Sequence, residues 1–265
     1  MLGKLIKHEW KAVAKTLFFI HLAIVAMTLV GKIMISIKAV EKIEMLSASM
    51  VMVYVLSVIA VGVGTHIYLA MRFYKNMYTD EGYLSFTLPV KSWEHIISKG
   101  LVAIAWIVID GIIIVASTLI LTMHWKDLME TVDSFKYADW SDFWAFSGNE
   151  HFFLVNVVLS MILGLCVIPL TYYVSISIGQ LFRNHKLLFS VITYVVIMNI
   201  QKVLGVVVTV ISMVPSAMEH IDDPTPASMS MMNCMMGGSV LLQLVYCVGF
   251  FFVIKFIMDK KLNLN

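Results

Sequence analysis

The sequence predicts an all-α integral membrane protein with six transmembrane helices. Of its 265 residues, 60% are hydrophobic and only 14% are charged, and the mean hydropathy is +0.89. Soluble domains carry about 25% charged residues, so this composition argues against a soluble globular domain, a disordered chain or a nucleic-acid binder. Several uncharged runs reach about 20 residues, the length of helix that crosses a hydrocarbon core. We therefore expect a single transmembrane domain over residues 1–265.

The apolar runs define six spans in chain order. They cover residues 16–37, 50–73, 101–123, 152–181, 187–214 and 239–258. The fourth and fifth runs are long enough for their helices to tilt or to project from the bilayer. Pro169 lies inside the fourth run, where it removes a backbone donor and is expected to kink the helix.

An amphipathic helix is predicted before the first span, over residues 2–15. Its two faces are apolar (Leu2, Leu5, Ile6, Trp10, Val13) and basic (Lys4, Lys7, Lys11, Lys15). Such a helix lies in the inner membrane interface with its lysines near anionic headgroups. Glu9 falls in the middle of the apolar face, where a carboxylate is costly unless it is paired. Either the tilted helix end lets Glu9 reach water, or Glu9 contacts a cytoplasmic partner.

The distribution of lysine and arginine predicts the orientation. Most of them precede the first span, lie within or just before residues 74–99, separate the fourth and fifth spans, or end the chain. Loops rich in these residues stay on the cytoplasmic side, so both termini are expected in the cytoplasm of a cell-membrane protein.

Two external loops are predicted, over residues 124–151 and 215–238. The first mixes acidic and aromatic residues and reads as one or two short amphipathic helices at the outer interface. The second contains no lysine or arginine and ends in a methionine-rich stretch from Met229 to Met236. Those methionines indicate adaptable apolar packing, with soft-metal binding as the weaker alternative.

Residues 74–99 form the predicted cytoplasmic loop between the second and third spans, and they include the run DEGYLSFTLPVKSWEHIISK. Gly82 permits a turn, and Pro89 interrupts any helix. Ser92 is placed to cap a helix that runs into the third span. The loop is apolar and aromatic for a connector, and exposed apolar patches often mark interaction sites. We expect it to dock on another protein, with packing beneath the helices as the alternative.

The layout of the chain and the segment GYLSFTLPV resemble the membrane subunit of a type-2 ABC exporter, in the six-span bacterial ABC transporter permease family. The similarity covers the whole chain in layout and is strongest over residues 80–99. It implies that this loop contains the coupling helix that docks on an ATPase subunit. The residues that the resemblance places at or beside the contact are Tyr83, Leu84, Phe86, Leu88 and Pro89. Glu9 of the N-terminal helix is a further candidate for this contact.

The chain has no G-x-x-x-x-G-K-[ST] segment, so it is not expected to bind ATP phosphates or to be an enzyme. ATP and Mg²⁺ are expected on a separate ATPase subunit. By resemblance, two permease subunits, identical or related, form a path for an amphipathic substrate such as a peptide, a lipid-like compound or a drug. No metal site is expected, because the three cysteines lack metal-ligand spacing.

Three ionisable residues within the spans are candidates for the translocation path or for an intramembrane ion pair. They are Asp110, Lys202 and Lys32. Charged groups at bilayer depth are costly and usually face a protein interior or a wet cavity. We expect Asp110 to pair with Lys202 or to line the path with it, and Lys32 lies near enough to the outer surface to snorkel. A pair that only fixes helix packing is the alternative.

Two histidines, His21 and His66, also lie within spans and are expected to be hydrogen-bonded helix-contact residues rather than ligands or proton carriers. Asp110 leaves a rival function open, an ion- or proton-coupled secondary transporter. A non-transporting membrane scaffold or sensor subunit is a further rival.

Overall fold

The computed structural model describes residues 1–37, 44–87, 89–123, 125–137, 141, 148–219 and 229–260, and these ranges contain helices but no strand. The helices in chain order are α1 (Leu2–Ser36), α2 (Glu44–Tyr78), α3 (Asp80–Thr87), α4 (Ser92–Thr122), α5 (Trp125–Lys136), α6 (Gly148–Gly179), α7 (Lys186–Glu219) and α8 (Met229–Lys260).

Six helices of the described ranges, α1, α2, α4, α6, α7 and α8, are long and apolar enough to cross a membrane. Their large apolar side chains are widely exposed, as at Leu56, Val203 and Leu241. In water such a surface would be unfavourable, whereas in lipid it is matched. The protein is therefore an all-α, multi-pass membrane protein, as the sequence predicts.

The spanning helices extend beyond the predicted apolar runs. Residues 2–15 are not a separate interfacial helix, because α1 continues without a break from Leu2 to Ser36. No proline or glycine interrupts the chain between the two segments, so nothing ends the helix there. Likewise, residues 229–238 are not a loop but the first turns of α8, and residues 215–219 extend α7. The predicted helix after the third span is confirmed as α5.

One compact unit comprises Met1–Arg72 and Leu101–Asp139. Its interior is built on one stripe of α1, where Val13, Leu17 and Ile24 are almost fully buried. The rings of Trp10 and Trp106 stack with centroids 5.0 Å apart. These contacts pack α1 against α4.

The other compact unit comprises Phe73–Gly100 and Trp140–Asn265. Here α6 packs along both α7 and α8. Gly179 allows the end of α6 to approach the start of α7, because a Cβ at this position would lie 2.6 Å from the Ser190 nitrogen. Pro169 is buried inside α6, which is helical on both sides of it.

Candidate functional site

The connection between the second and third spans is a helical elbow, which we define as residues 80–99. Helix α2 ends at Tyr78 and α3 begins at Asp80, so the chain turns within about two residues. The Gly82 nitrogen donates to the Thr79 carbonyl at 2.7 Å. A Cβ on Gly82 would lie 2.8 Å from the Met77 carbonyl oxygen, which leaves room for glycine alone. The sequence places a turn at Gly82, and the structure has this tight helix-to-helix junction there.

A polar bridge fixes the elbow to the ends of α2 and α4. With its amide oriented to satisfy both neighbours, Asn76 of α2 donates to Glu81 Oε2 at 2.8 Å. Its amide oxygen accepts a hydrogen bond from Lys99 Nζ at 3.0 Å. Lys99 is only 6% exposed, so its ammonium is held in place rather than solvated. One amide side chain thus connects α2, α3 and α4.

Further contacts pack the end of α2, next to the elbow, against α6. The Tyr78 hydroxyl and Ser177 Oγ of α6 lie 2.6 Å apart. The rings of Phe73 and Tyr173 stack with centroids 3.8 Å apart. Within the elbow, the Phe86 ring lies 6.0 Å from the His95 ring. The end of α2 that leads into the elbow is therefore packed on α6, and Asn76 joins the same end to α3 and α4.

The start of α4 agrees with the predicted helix boundary to within one residue. The helix begins at Ser92, and Glu94 Oε2 accepts a hydrogen bond from the Lys91 nitrogen at 3.0 Å. This is the reciprocal half of a capping box, in which the third helical residue reaches back to the cap. Lys91, not Ser92, occupies the cap position. The helix runs on into the third span, as the sequence predicts.

The predicted coupling residues divide into two groups. Phe86 is half-buried against His95, and Pro89 is exposed. Leu88 and the side chains of Tyr83 and Leu84 lie outside the described residues. The exposed residues of the elbow are Asp80, Glu81, Thr87, Pro89 and Lys91.

Glu9 has an internal partner that neither sequence-based alternative included. Arg72 Nε donates to Glu9 Oε1 at 2.6 Å, and Nη2 lies 3.5 Å from Oε2. The side chains are 22% and 12% exposed for arginine and glutamate, respectively. Arg72 of α2 therefore neutralises the charge of the Glu9 carboxylate in the apolar face of α1, within the same unit.

Asp110 is buried in the same unit, and its carboxylate pairs with a histidine. His21 Nε2 lies 3.0 Å from Asp110 Oδ1, while His21 Nδ1 lies 2.7 Å from the Leu17 carbonyl oxygen. The two side chains are 7% and 6% exposed. The expectation that His21 is a hydrogen-bonded helix contact is confirmed. The sequence predicts Lys202, and not His21, as the partner of Asp110.

The predicted spans do not place His21 and Asp110 at one depth, because those spans begin at residues 16 and 101. In the structure α1 begins at Leu2 and α4 at Ser92, so both residues lie about 27 to 29 Å from the first residue of their helix, at 1.5 Å per residue. The match in depth therefore depends on helix starts that only the structure gives.

The two candidate lysines have different surroundings. Lys32 Nζ donates to the Met123 carbonyl at 2.8 Å, at the carboxyl end of α4. A cation is favourable there, because the last carbonyls of a helix lack backbone donors. Lys202 is exposed on α7 in the other unit. Its predicted pairing with Asp110 stays a prediction.

In the described part of the chain, no three His, Cys, Asp or Glu residues are grouped to hold a metal ion. The chain matches no protein-family model, no curated protein and no solved structure.

Proposed function

We propose that the chain is the transmembrane subunit of an ATP-driven ABC exporter and that the elbow is where a separate ATPase subunit docks. The observation that carries this proposal is the attachment of the elbow to the end of α2 through Asn76, together with the packing of that end of α2 on α6. An ordinary connector has no need of a buried lysine and a bridging amide at its base. A surface that must transmit force needs such a rigid attachment.

The mechanism follows from this attachment. An ATPase that closes on ATP presses on the exposed face of α3 and on Pro89. Because Asn76 joins three helices, the push moves the ends of the spans together instead of bending the loop. Packed helices respond by rigid-body rocking, which opens a path to alternate sides of the membrane. ATP and Mg²⁺ would be bound by the ATPase, since this chain has no phosphate-binding loop.

The proposal also specifies the surroundings of the chain. Two permease subunits, identical or related, would meet in the cell membrane around an amphipathic substrate such as a peptide, a lipid-like compound or a drug. The elbow would face the cytoplasm, because the residues around it are rich in lysine and arginine.

The test is purification of the tagged chain from its native cells in mild detergent, followed by mass spectrometry of the co-purifying proteins. We expect a stoichiometric protein with a Walker motif. The variant Thr87→Arg places a large cation on the exposed face of the elbow, and it should reduce the recovered ATPase at least about tenfold, the equivalent of 1.4 kcal/mol.

Thr131→Arg is the matched control, since Thr131 is an exposed helical threonine of α5, far along the chain from the elbow. It should retain the ATPase at the wild-type level. A wild-type sample without any ATPase would contradict the proposal, as would equal losses in the two variants.

A second candidate function is a proton-coupled secondary transporter, which the buried His21–Asp110 pair favours. In that case transport would proceed without an ATPase and would collapse in Asp110→Asn. An exporter would instead require the ATPase whatever residue stands at position 110.

A further inference from the structure

We propose that His21 and Asp110 form a buried binding site for a single proton, which holds the first membrane-spanning helix to the third. This inference does not depend on the proposed exporter function. It rests on the two contacts of one imidazole ring, at 2.7 Å and 3.0 Å.

The hydrogen bonds of His21 fix the number of protons. The Leu17 carbonyl oxygen can only accept, so Nδ1 must carry a proton and donate it. In a neutral ring, Nε2 is then an acceptor. A carboxylate 3.0 Å from this nitrogen would also be an acceptor, and two lone pairs would face each other. The bond forms only if one more proton lies between Nε2 and Oδ1.

That proton makes the pair electrically neutral. The site holds either an imidazolium with a carboxylate or an imidazole with a carboxylic acid, and both have zero net charge. Without the proton, the site has one negative charge near the middle of two spanning helices. An uncompensated buried charge is strongly unfavourable at this depth. The proton is therefore the ligand that makes this helix contact stable.

Among the described residues, His66 is a further titratable group near the pair. His66 of α2 is near enough for its charge to interact with that of Asp110. The neighbours from α1 and α4 are aromatic and do not titrate in this range: Trp106 stacks on His21 at 5.8 Å and on Trp10 at 5.0 Å. These rings shield the pair from water on that side. Because His66 could itself titrate over the same pH range, the experiment includes a variant at this position.

The test compares the thermal stability of the purified protein in detergent from about pH 5.5 to about pH 9. The wild type should lose stability as pH rises, because the pair loses its proton. In Asp110→Asn, the amide N–H donates to neutral His21 and no proton can be lost. The fall in Tm over this range should be at least about 4 °C larger in the wild type than in the variant.

Two controls identify the source of the pH dependence. Asp133→Asn removes an exposed carboxylate of α5 and should keep the wild-type fall in Tm. His66→Gln should keep it as well. The proposal is overturned if Asp110→Asn shows the same fall as the wild type, or if the fall disappears in His66→Gln instead.

A measurement on the wild type alone covers the case in which Asp110→Asn does not fold. Solid-state NMR with ¹⁵N-labelled histidine and ¹³C-labelled aspartate correlates Nε2 of His21 with Cγ of Asp110. At neutral pH we expect either a doubly protonated ring beside a carboxylate or a neutral ring beside a carboxylic acid. A neutral ring beside a carboxylate would refute the single-proton site.

Discussion

Three ionisable residues within the spanning helices each have a specific partner. Glu9 binds Arg72, Asp110 pairs with His21, and Lys32 donates to the end of α4. Because taking a charge out of water costs several kcal/mol, a buried ion is tolerated only with good geometry and a partner. Removing one member of such a pair is more damaging than removing both.

The Glu9–Arg72 pair can be tested with a double-mutant cycle. Glu9→Gln and Arg72→Gln should each destabilise the protein by about 1–3 kcal/mol, since a charged hydrogen bond in a partly buried site is lost. The double variant should recover part of this loss, with a coupling energy of about 0.5–3 kcal/mol. Denaturant unfolding in mixed micelles measures the free energy of unfolding of the wild type, the two single variants and the double variant.

The matched control is the exposed pair of Lys126 and Glu130 in α5, whose charged atoms lie 3.9 Å apart. Its side chains are 85% and 67% exposed, so water screens the interaction. The cycle of Lys126→Gln and Glu130→Gln should give no measurable coupling. Equal coupling in the two cycles would contradict the role assigned to burial.

At the scale of elements, helix ends decide where the membrane segments begin and stop. The amphipathic pattern of residues 2–15 correctly predicts a helix, but nothing in the chain ends that helix before the first span. The elbow has the opposite character, because Gly82, Pro89 and the Lys91–Glu94 bond end and restart helices within a short stretch. A few residues therefore determine the shape of the elbow, which we propose as the coupling segment.

Gly82→Ala tests the close packing at the start of the elbow. The added Cβ would lie 2.8 Å from the Met77 carbonyl oxygen, which is backbone and cannot move aside cheaply. We expect a loss of about 1–3 kcal/mol, as for other overpacked sites. Gly100→Ala in α4 is the control, because its Cβ would meet nothing within 4 Å. It should be neutral or slightly stabilising, given the higher helix propensity of alanine.

Limited proteolysis distinguishes local from global effects of these two variants. Cleavage within residues 79–91 should increase in Gly82→Ala and remain at the wild-type level in Gly100→Ala. Similar cleavage in both would show that the close approach at Met77 does not control the elbow.

At the scale of the whole molecule, the described ranges contain six helices that can cross a membrane, and an even number of spans predicts that both termini lie on the same side. The excess of lysine and arginine around the termini predicts that this side is the cytoplasm. A fluorescent protein fused after residue 265 should therefore fold and fluoresce. A periplasmic-type phosphatase fused after Ser134 should be active, whereas the same enzyme fused after Lys186 should be inactive. The reverse pattern would invert the orientation and move the elbow away from any cytoplasmic ATPase.

The sequence by itself determined the fold class, the six spans and the helix that enters the third span. These depend on composition, on the length of apolar runs and on proline and capping residues, which are local properties of the chain. Only the tertiary structure decided which polar groups meet: Arg72 for Glu9, His21 for Asp110, and Asn76 for Glu81 and Lys99. Most of these partners lie far apart along the chain, and hydropathy does not distinguish one polar residue within a span from another. The rotation of each helix about its axis selects among them, and packing fixes that rotation.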